Sequence, residues 1–256
     1  MEIVDCFLFF NEIDMLLFRL KELNDYVDYF VLVESDHTFS GNPKELFYEN
    51  NKHLFSAYNH KIIHIAIKGK EDVSAWERET MQRNAVTQGL KLLDLTKDDI
   101  IILSDCDEIP NPELLKKVRN ENVIWQNHIY SLEQDFYYYN LNSLKLNYWT
   151  MSKIFRYGEI SISKRTPQEI RYTQMFQITD GGWHFSYFGS PEKIKYKIQS
   201  FSHQEFNNEN YTDLEKIKNQ IDTKQDLFYR NNEEIINCEI DESKLPVNYK
   251  LLLNIK

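Results

Sequence analysis

The chain has 256 residues, 30 basic against 40 acidic for a net charge of −10, and 14% of its residues are aromatic. That length suits one sizeable α/β domain with its own core. The negative charge, unrelieved by any Lys/Arg run, excludes nucleic acid and anionic lipid as partners. Three cysteines, Cys6, Cys106 and Cys238, lack C-x-x-C spacing and so suggest neither a disulfide scaffold nor a thiolate zinc site. No basic n-region of a signal peptide precedes the first strand, and no apolar run approaches the roughly 20 residues of a transmembrane span, so the expectation is a soluble, cytoplasmic protein.

In chain order, residues 3–10 read as a strand, and 12–23 as a helix capped by Asn11, with Ile13, Leu16, Leu17, Leu20 and Leu23 on one face. Strands follow at 27–33 and 62–67. Ser74 with Glu77 three residues later is a capping box for a helix running toward Leu95. A fourth strand, 99–104, runs into Asp105-Cys106-Asp107-Glu108-Ile109-Pro110. Strand, helix, strand, loop, strand, helix, strand is the grammar of a mostly parallel central sheet flanked by helices. Its carboxyl ends should bring Asn11, Glu12, Glu34 and the Asp105 to Asp107 stretch to one crevice. Beyond residue 122 the pattern turns β-rich (123–132, 136–141, 148–155). Ser190-Pro191 and Thr212-Asp213 then open helices, and residues past Asn231 read as a polar tail. The chain divides into a donor-binding half (1–121), an acceptor half (122–230) and the tail (231–256).

Acids at a strand's carboxyl end call for a cation, because hard carboxylate oxygens bind Mn²⁺ or Mg²⁺ and the ion can grip a diphosphate. A lone D-x-D can equally be a turn cap before the helix that Asn111-Pro112 opens. The apolar strand upstream favours the cation. Asp107 is the first-choice ligand, and Asp105, two residues earlier, suits the metal or the nucleotide sugar. His184, after Gly181-Gly182-Trp183, is able to close the metal site, with His203 as substitute. Arg83 and Lys197 suit a diphosphate, and Glu34 a uracil or ribose. A transfer to a hydroxyl also needs a carboxylate base to take its proton. Glu205 is the choice, with Glu133, Asp135 and Asp180 as alternatives.

Asp5-Cys6-Phe7, Asn11-Glu12-Ile13-Asp14, Val33-Glu34-Ser35 with Thr38 and Gly41, Asp105-Cys106-Asp107-Glu108-Ile109-Pro110 and Gly182-Trp183-His184-Phe185-Ser186, in that order, resemble glycosyltransferase family 17. The resemblance runs from about Asp5 to about Tyr229. It implies a GT-A-like fold, a UDP-sugar donor (UDP-N-acetylglucosamine in the animal members), a divalent metal, inversion at the anomeric carbon and a glycan or glycoconjugate acceptor. The competing classes are a metal-dependent phosphohydrolase, whose D-x-D would follow the first strand, and a non-catalytic glycan-binding protein, for which the βαβ grammar is wrong.

Overall fold

The computed structural model describes residues 1–121, 123–125, 128–173, 176–230 and 234–255; the expected boundaries at 122 and 231, and residues 126 and 127 of the expected segment 123–132, lie outside them. The fold is the α/β arrangement that the sequence leads one to expect. β1 (Ile3–Leu8), α1 (Ile13–Leu23), β2 (Tyr29–Ser35), α2 (Phe47–Asn51), β3 (Ile62–Ile67), α3 (Ala75–Asn84), α4 (Val86–Leu90) and β4 (Ile100–Asp105) form the first half. Its strands run parallel in the order β4-β1-β2-β3. β5 (Glu108–Pro110), α5 (Pro112–Glu121), β6 (Ile129–Tyr138), β7 (Ser143–Lys145), β8 (Lys153–Arg156), α6 (Gly158–Ser163), α7 (Pro167–Arg171) and β9 (Phe176–Ser186) follow. They extend the sheet through β8, antiparallel to β4, and add β6, with β9 parallel to it. α8 (Pro191–Ser200), α9 (Glu209–Thr212), α10 (Leu214–Thr223) and β10 (Ile235–Asn237) complete the described elements apart from short 3-10 turns.

Period-two alternation divides the core between the two faces of the sheet. Phe7, Phe30, Leu32, Ile100 and Ile102 face α1, whereas Cys6, Val31, Val33, Ile101 and Leu103 face α4 and α7. A third apolar cluster, built on Phe136 and Tyr138 of β6, packs α8 and α10.

Several local expectations shift by a residue or more. α1 starts at Ile13 with Glu12 at its N-cap and no side-chain cap bond, so Asn11 does not cap it. Leu17, placed by periodicity on the apolar face, is 36% exposed, and Arg19 and Glu22 are buried in its stead. Ser74 and Glu77 do form a reciprocal capping box, but the helix breaks at Ala85 and its second piece ends at Leu90. The last twenty or so residues are more than a polar tail: Leu245, Tyr249 and Leu252 join the main core, and Glu22 accepts from the backbone N–H of Val247 and Asn248.

Candidate active site

β4 ends at the acidic motif, and alternation sends its successive side chains to opposite faces. Ser104 turns toward α1, while Asp105 turns toward α3 and α7. There the Arg83 and Arg171 guanidinium groups each take one of its oxygens, at 2.8 and 2.9 Å. Burial opposes ionisation of Asp105, but the two arginines outweigh it and hold its carboxyl below the usual range. Arg83 also donates to Glu79 at 3.1 Å and to Gln168 at 2.8 Å. Asp105 is therefore saturated by cations, which is a poor state for the metal ligand it was expected to be.

Glu108 is fully buried and accepts from Arg171 twice at 2.5 Å, from Trp149 Nε1 at 2.5 Å and from Ser152 at 2.7 Å. Desolvation is again the largest influence, yet Arg171 prevails and brings the carboxyl down to about 2. Neither aspartate caps α5; Asn111 does that, accepting from the Glu113 N–H.

Asp107 lies in the short connection to β5 and lines an open cleft with Glu12, Asp14, Lys193, Lys197 and Tyr187. Lys197 reaches it from α8, with Nζ 2.8 Å from Asp107 Oδ2 and 3.4 Å from Glu12 Oε1. Ser190 and Pro191 start that helix as the sequence indicates, with the Ser190 hydroxyl accepting from the Lys193 N–H. Lys193 and Lys197, one turn apart, thus meet Asp14 and Asp107 across the cleft. His184 arrives through the β5/β9 ladder, where it pairs with Glu108. Its Nε2 stands 3.6 Å from Asp107 Oδ1, and its ring is sandwiched by Phe136 and Trp149, each with centroids 4.5 Å away. His184 Nδ1 is buried with no hydrogen-bond partner. Burial resists ionisation of Asp107, but Lys197 and His184 keep its carboxyl well below the ordinary range. Lys197 is in turn raised, desolvation being overcome by Asp107 and Glu12.

Glycines make the close approach possible. Gly182 has φ +130°, and a Cβ there would lie 2.0 Å from the Ile109 carbonyl oxygen; no other residue lets β9 pass so near β5.

Of the other expected site residues, Glu34 lies on the face of the sheet opposite Asp105 and is fully buried. Its carboxylate accepts from the Tyr48 and Glu49 N–H groups at 3.1 Å and pairs with His64 at 2.8 Å, so it closes the N-terminus of α2. Glu205 is exposed, bonded to His203 at 2.7 Å, and does not line the cleft. His203 is likewise half exposed beside Trp76. Arg171 and Arg19 went unnoticed in the sequence. The signal for Arg19 was there, since it falls within the buried stripe of α1.

The direct ion pairs form two chains, Glu12–Lys197–Asp107 and Glu79–Arg83–Asp105–Arg171–Glu108. Counting only these carboxylates and the Lys and Arg cations, each chain holds one more carboxylate than cations. Among the described residues no three His, Cys, Asp or Glu side chains are grouped to hold a metal ion. Two donors, Asp107 and His184, do converge, and they suit an ion that takes its remaining ligands from water and phosphate.

A mostly parallel sheet, a cleft at its strand ends and an acidic turn met by basic side chains describe an α/β domain with its candidate site at the carboxyl ends of the strands. The chain belongs to glycosyltransferase family 17, whose profile matches residues 1–243. It is 25% identical to the beta-1,4-mannosyl-glycoprotein 4-beta-N-acetylglucosaminyltransferases of Rattus norvegicus and Mus musculus over 83% of its length, and to that of Homo sapiens over 77%. It spans about half of those relatives, 46%, 46% and 42% of their lengths. A solved 4-diphosphocytidyl-2C-methyl-D-erythritol synthase superposes with a TM-score of 0.40 at 12% identity, covering 70% of this chain and 89% of that one. No helix among the described residues is long and apolar enough to cross a membrane.

Proposed function

We propose that this glycosyltransferase moves N-acetylglucosamine from a UDP-sugar to a hydroxyl of a glycan, inverting the anomeric centre, with a divalent cation held by Asp107 and His184. The observation that carries this reading is Asp107 in the cleft, flanked by Lys197, Glu12 and His184. The activity named for its relatives, that of a beta-1,4-mannosyl-glycoprotein 4-beta-N-acetylglucosaminyltransferase, supports the donor sugar. The two carboxylate-rich ion-pair chains support the cation, because a diphosphate brought to them needs added positive charge.

A bound Mn²⁺ or Mg²⁺ would neutralise charge on the departing diphosphate. Lys197, released from Asp107, would offer its ammonium to the same phosphates while keeping its pair with Glu12. Asp105 serves by orienting Arg83 and Arg171 and not as a ligand. Glu205 lies outside the cleft, so the acceptor's proton passes to a carboxylate that lines it. Glu12 is that base: it lines the cleft, is partly open to it, and stands 3.4 Å from the Lys197 ammonium.

The test is UDP release from UDP-N-acetylglucosamine with Mn²⁺ and a mannose-containing glycan acceptor. Asp107→Ala is expected to abolish it with the fold retained. Glu12→Gln should lower kcat by about 10²-fold or more with KM little changed, the size of a general-base contribution. Tight glycan binding without turnover by the wild type would overturn the reading, and an unchanged kcat in Glu12→Gln would remove that residue from the role.

A further inference from the structure

Behind the acidic turn, on the α1 face of the sheet, lies an ion pair that no step above employs. Arg19 and Asp5 are both at 0% side-chain exposure. Nη2 and Nε of Arg19 donate to the two Asp5 oxygens at 2.6 and 2.8 Å, and the guanidinium stands 4.4 Å from the centre of the Phe7 ring. The rest of the fork reaches the motif itself. Nη1 donates to the carbonyl oxygens of Asp105 at 2.9 Å, Cys106 at 3.2 Å and Glu108 at 2.7 Å, and Nη2 to Ser104 Oγ at 2.6 Å.

Burying a charge this deeply is costly, and apolar residues of similar volume commonly replace a buried ion pair without loss of stability. Fold stability alone is thus a weak reason for the pair. One planar group that holds three carbonyls of a four-residue turn fixes the turn's backbone instead. It keeps those carbonyls on the α1 side while Asp105 faces Arg83 and Arg171 and Asp107 faces the cleft. Lysine, a point charge with three donors and no rigid fork, cannot meet Asp5, Ser104 and three carbonyls together.

We propose that Asp5 and Arg19 are positioning residues that aim the carboxylates of the acidic turn through its backbone, so that the turn is set for its ligand before the ligand arrives. The clamp itself is independent of the donor reading; only the ligand arm of its test rests on that reading.

Three proteins are compared: wild type, the apolar double variant Asp5→Leu/Arg19→Met, and Arg19→Lys. Each is read by unfolding midpoint, by amide exchange of the 104–109 peptide, and by Mn²⁺ binding with and without UDP. The expected result is a double variant that unfolds cooperatively near the wild-type midpoint. It should exchange the 104–109 amides at least tenfold faster than wild type while other β4 amides are unchanged, and bind Mn²⁺–UDP at least tenfold more weakly. Arg19→Lys should fall between the two. Should the double variant fail to fold, Arg19→Lys decides on the same readouts. Wild-type exchange and binding in whichever variant folds would overturn the clamp. If the wild type itself binds no Mn²⁺–UDP, the donor reading fails, and the exchange arm still decides the clamp.

Discussion

Glu108 shows how much a single buried carboxylate can hold. Four donors from Arg171, Trp149 and Ser152 converge on it, and its own main-chain neighbour Asp105 adds an N–H at 3.0 Å. Removing one partner of such a pair leaves the other charge buried, at a cost of about 3–5 kcal/mol. Arg171→Met is expected to destabilise by that amount in denaturant unfolding. The pH dependence has a definite sign. Asp105, Asp107 and Glu108 all titrate lower in the folded chain than in the unfolded one, so in acid the unfolded state binds more protons. For Glu108 the window runs from 4.5 down to about 2. Stability conferred above that window is lost as pH falls through it. Unfolding midpoints measured at pH 7, 4 and 3 should therefore drop steeply, and Glu108→Gln, weaker at pH 7, should show a shallower fall. Parallel pH curves for the two proteins would contradict this account.

At the scale of elements, the site is assembled by the contact between β5 and β9. β5 carries Glu108 and follows Asp107, β9 carries His184, and both are aligned by the pairing of Pro110 with Gly182. A side chain at Gly182 meets the Ile109 carbonyl at 2.0 Å and also requires a φ that L residues rarely adopt. Gly182→Ala must push the two strands apart or fail to fold. The measurement is Mn²⁺ binding alongside thermal unfolding: either a midpoint lowered by about 6 °C or more, as a loss of 2–3 kcal/mol gives in a chain of this size, or a folded protein with impaired metal binding is expected. A variant unchanged in both would show that the strand approach is dispensable.

For the whole molecule, the segment past β10 ties the two ends of the chain together. Glu22 of α1 accepts from Val247 and Asn248, Trp183 Nε1 donates to the Lys244 carbonyl at 2.7 Å, and Leu245 and Leu252 are buried in the core that β1 and β4 build. Burying two leucines is worth about 3–6 kcal/mol, a large part of the roughly 5–15 kcal/mol that keeps a domain folded. Deleting residues 242–256 is expected to lower Tm by about 10 °C or more. A truncated chain with the wild-type Tm would refute this.

The parallel first half was legible because its strands are continuous apolar runs separated by a periodic helix and a capping box, signals that depend only on neighbours in sequence. The acidic turn and the pair Asp107 and His184 were legible as motifs, and Lys197 as a helix-borne cation. Arg171 was not, because a charged side chain gives no sequence cue to a partner 63 residues away, and although Arg19 stood in the buried stripe of α1, its contacts with the acidic turn lie 85 or more residues off. The same holds for Glu34 and Glu205: both are acids in suggestive positions, but sheet alternation turns the first away from Asp105, and the second sits on an exposed turn. Local pattern thus determined the class of fold and the acidic turn, and the resemblance of the ordered motifs pointed to the family. Which of that turn's carboxylates is left facing a cleft, and which is neutralised by arginines, was decided by the tertiary structure. Only the packing of two sheet faces and of α8 brings the compensating charges within ion-pair distance.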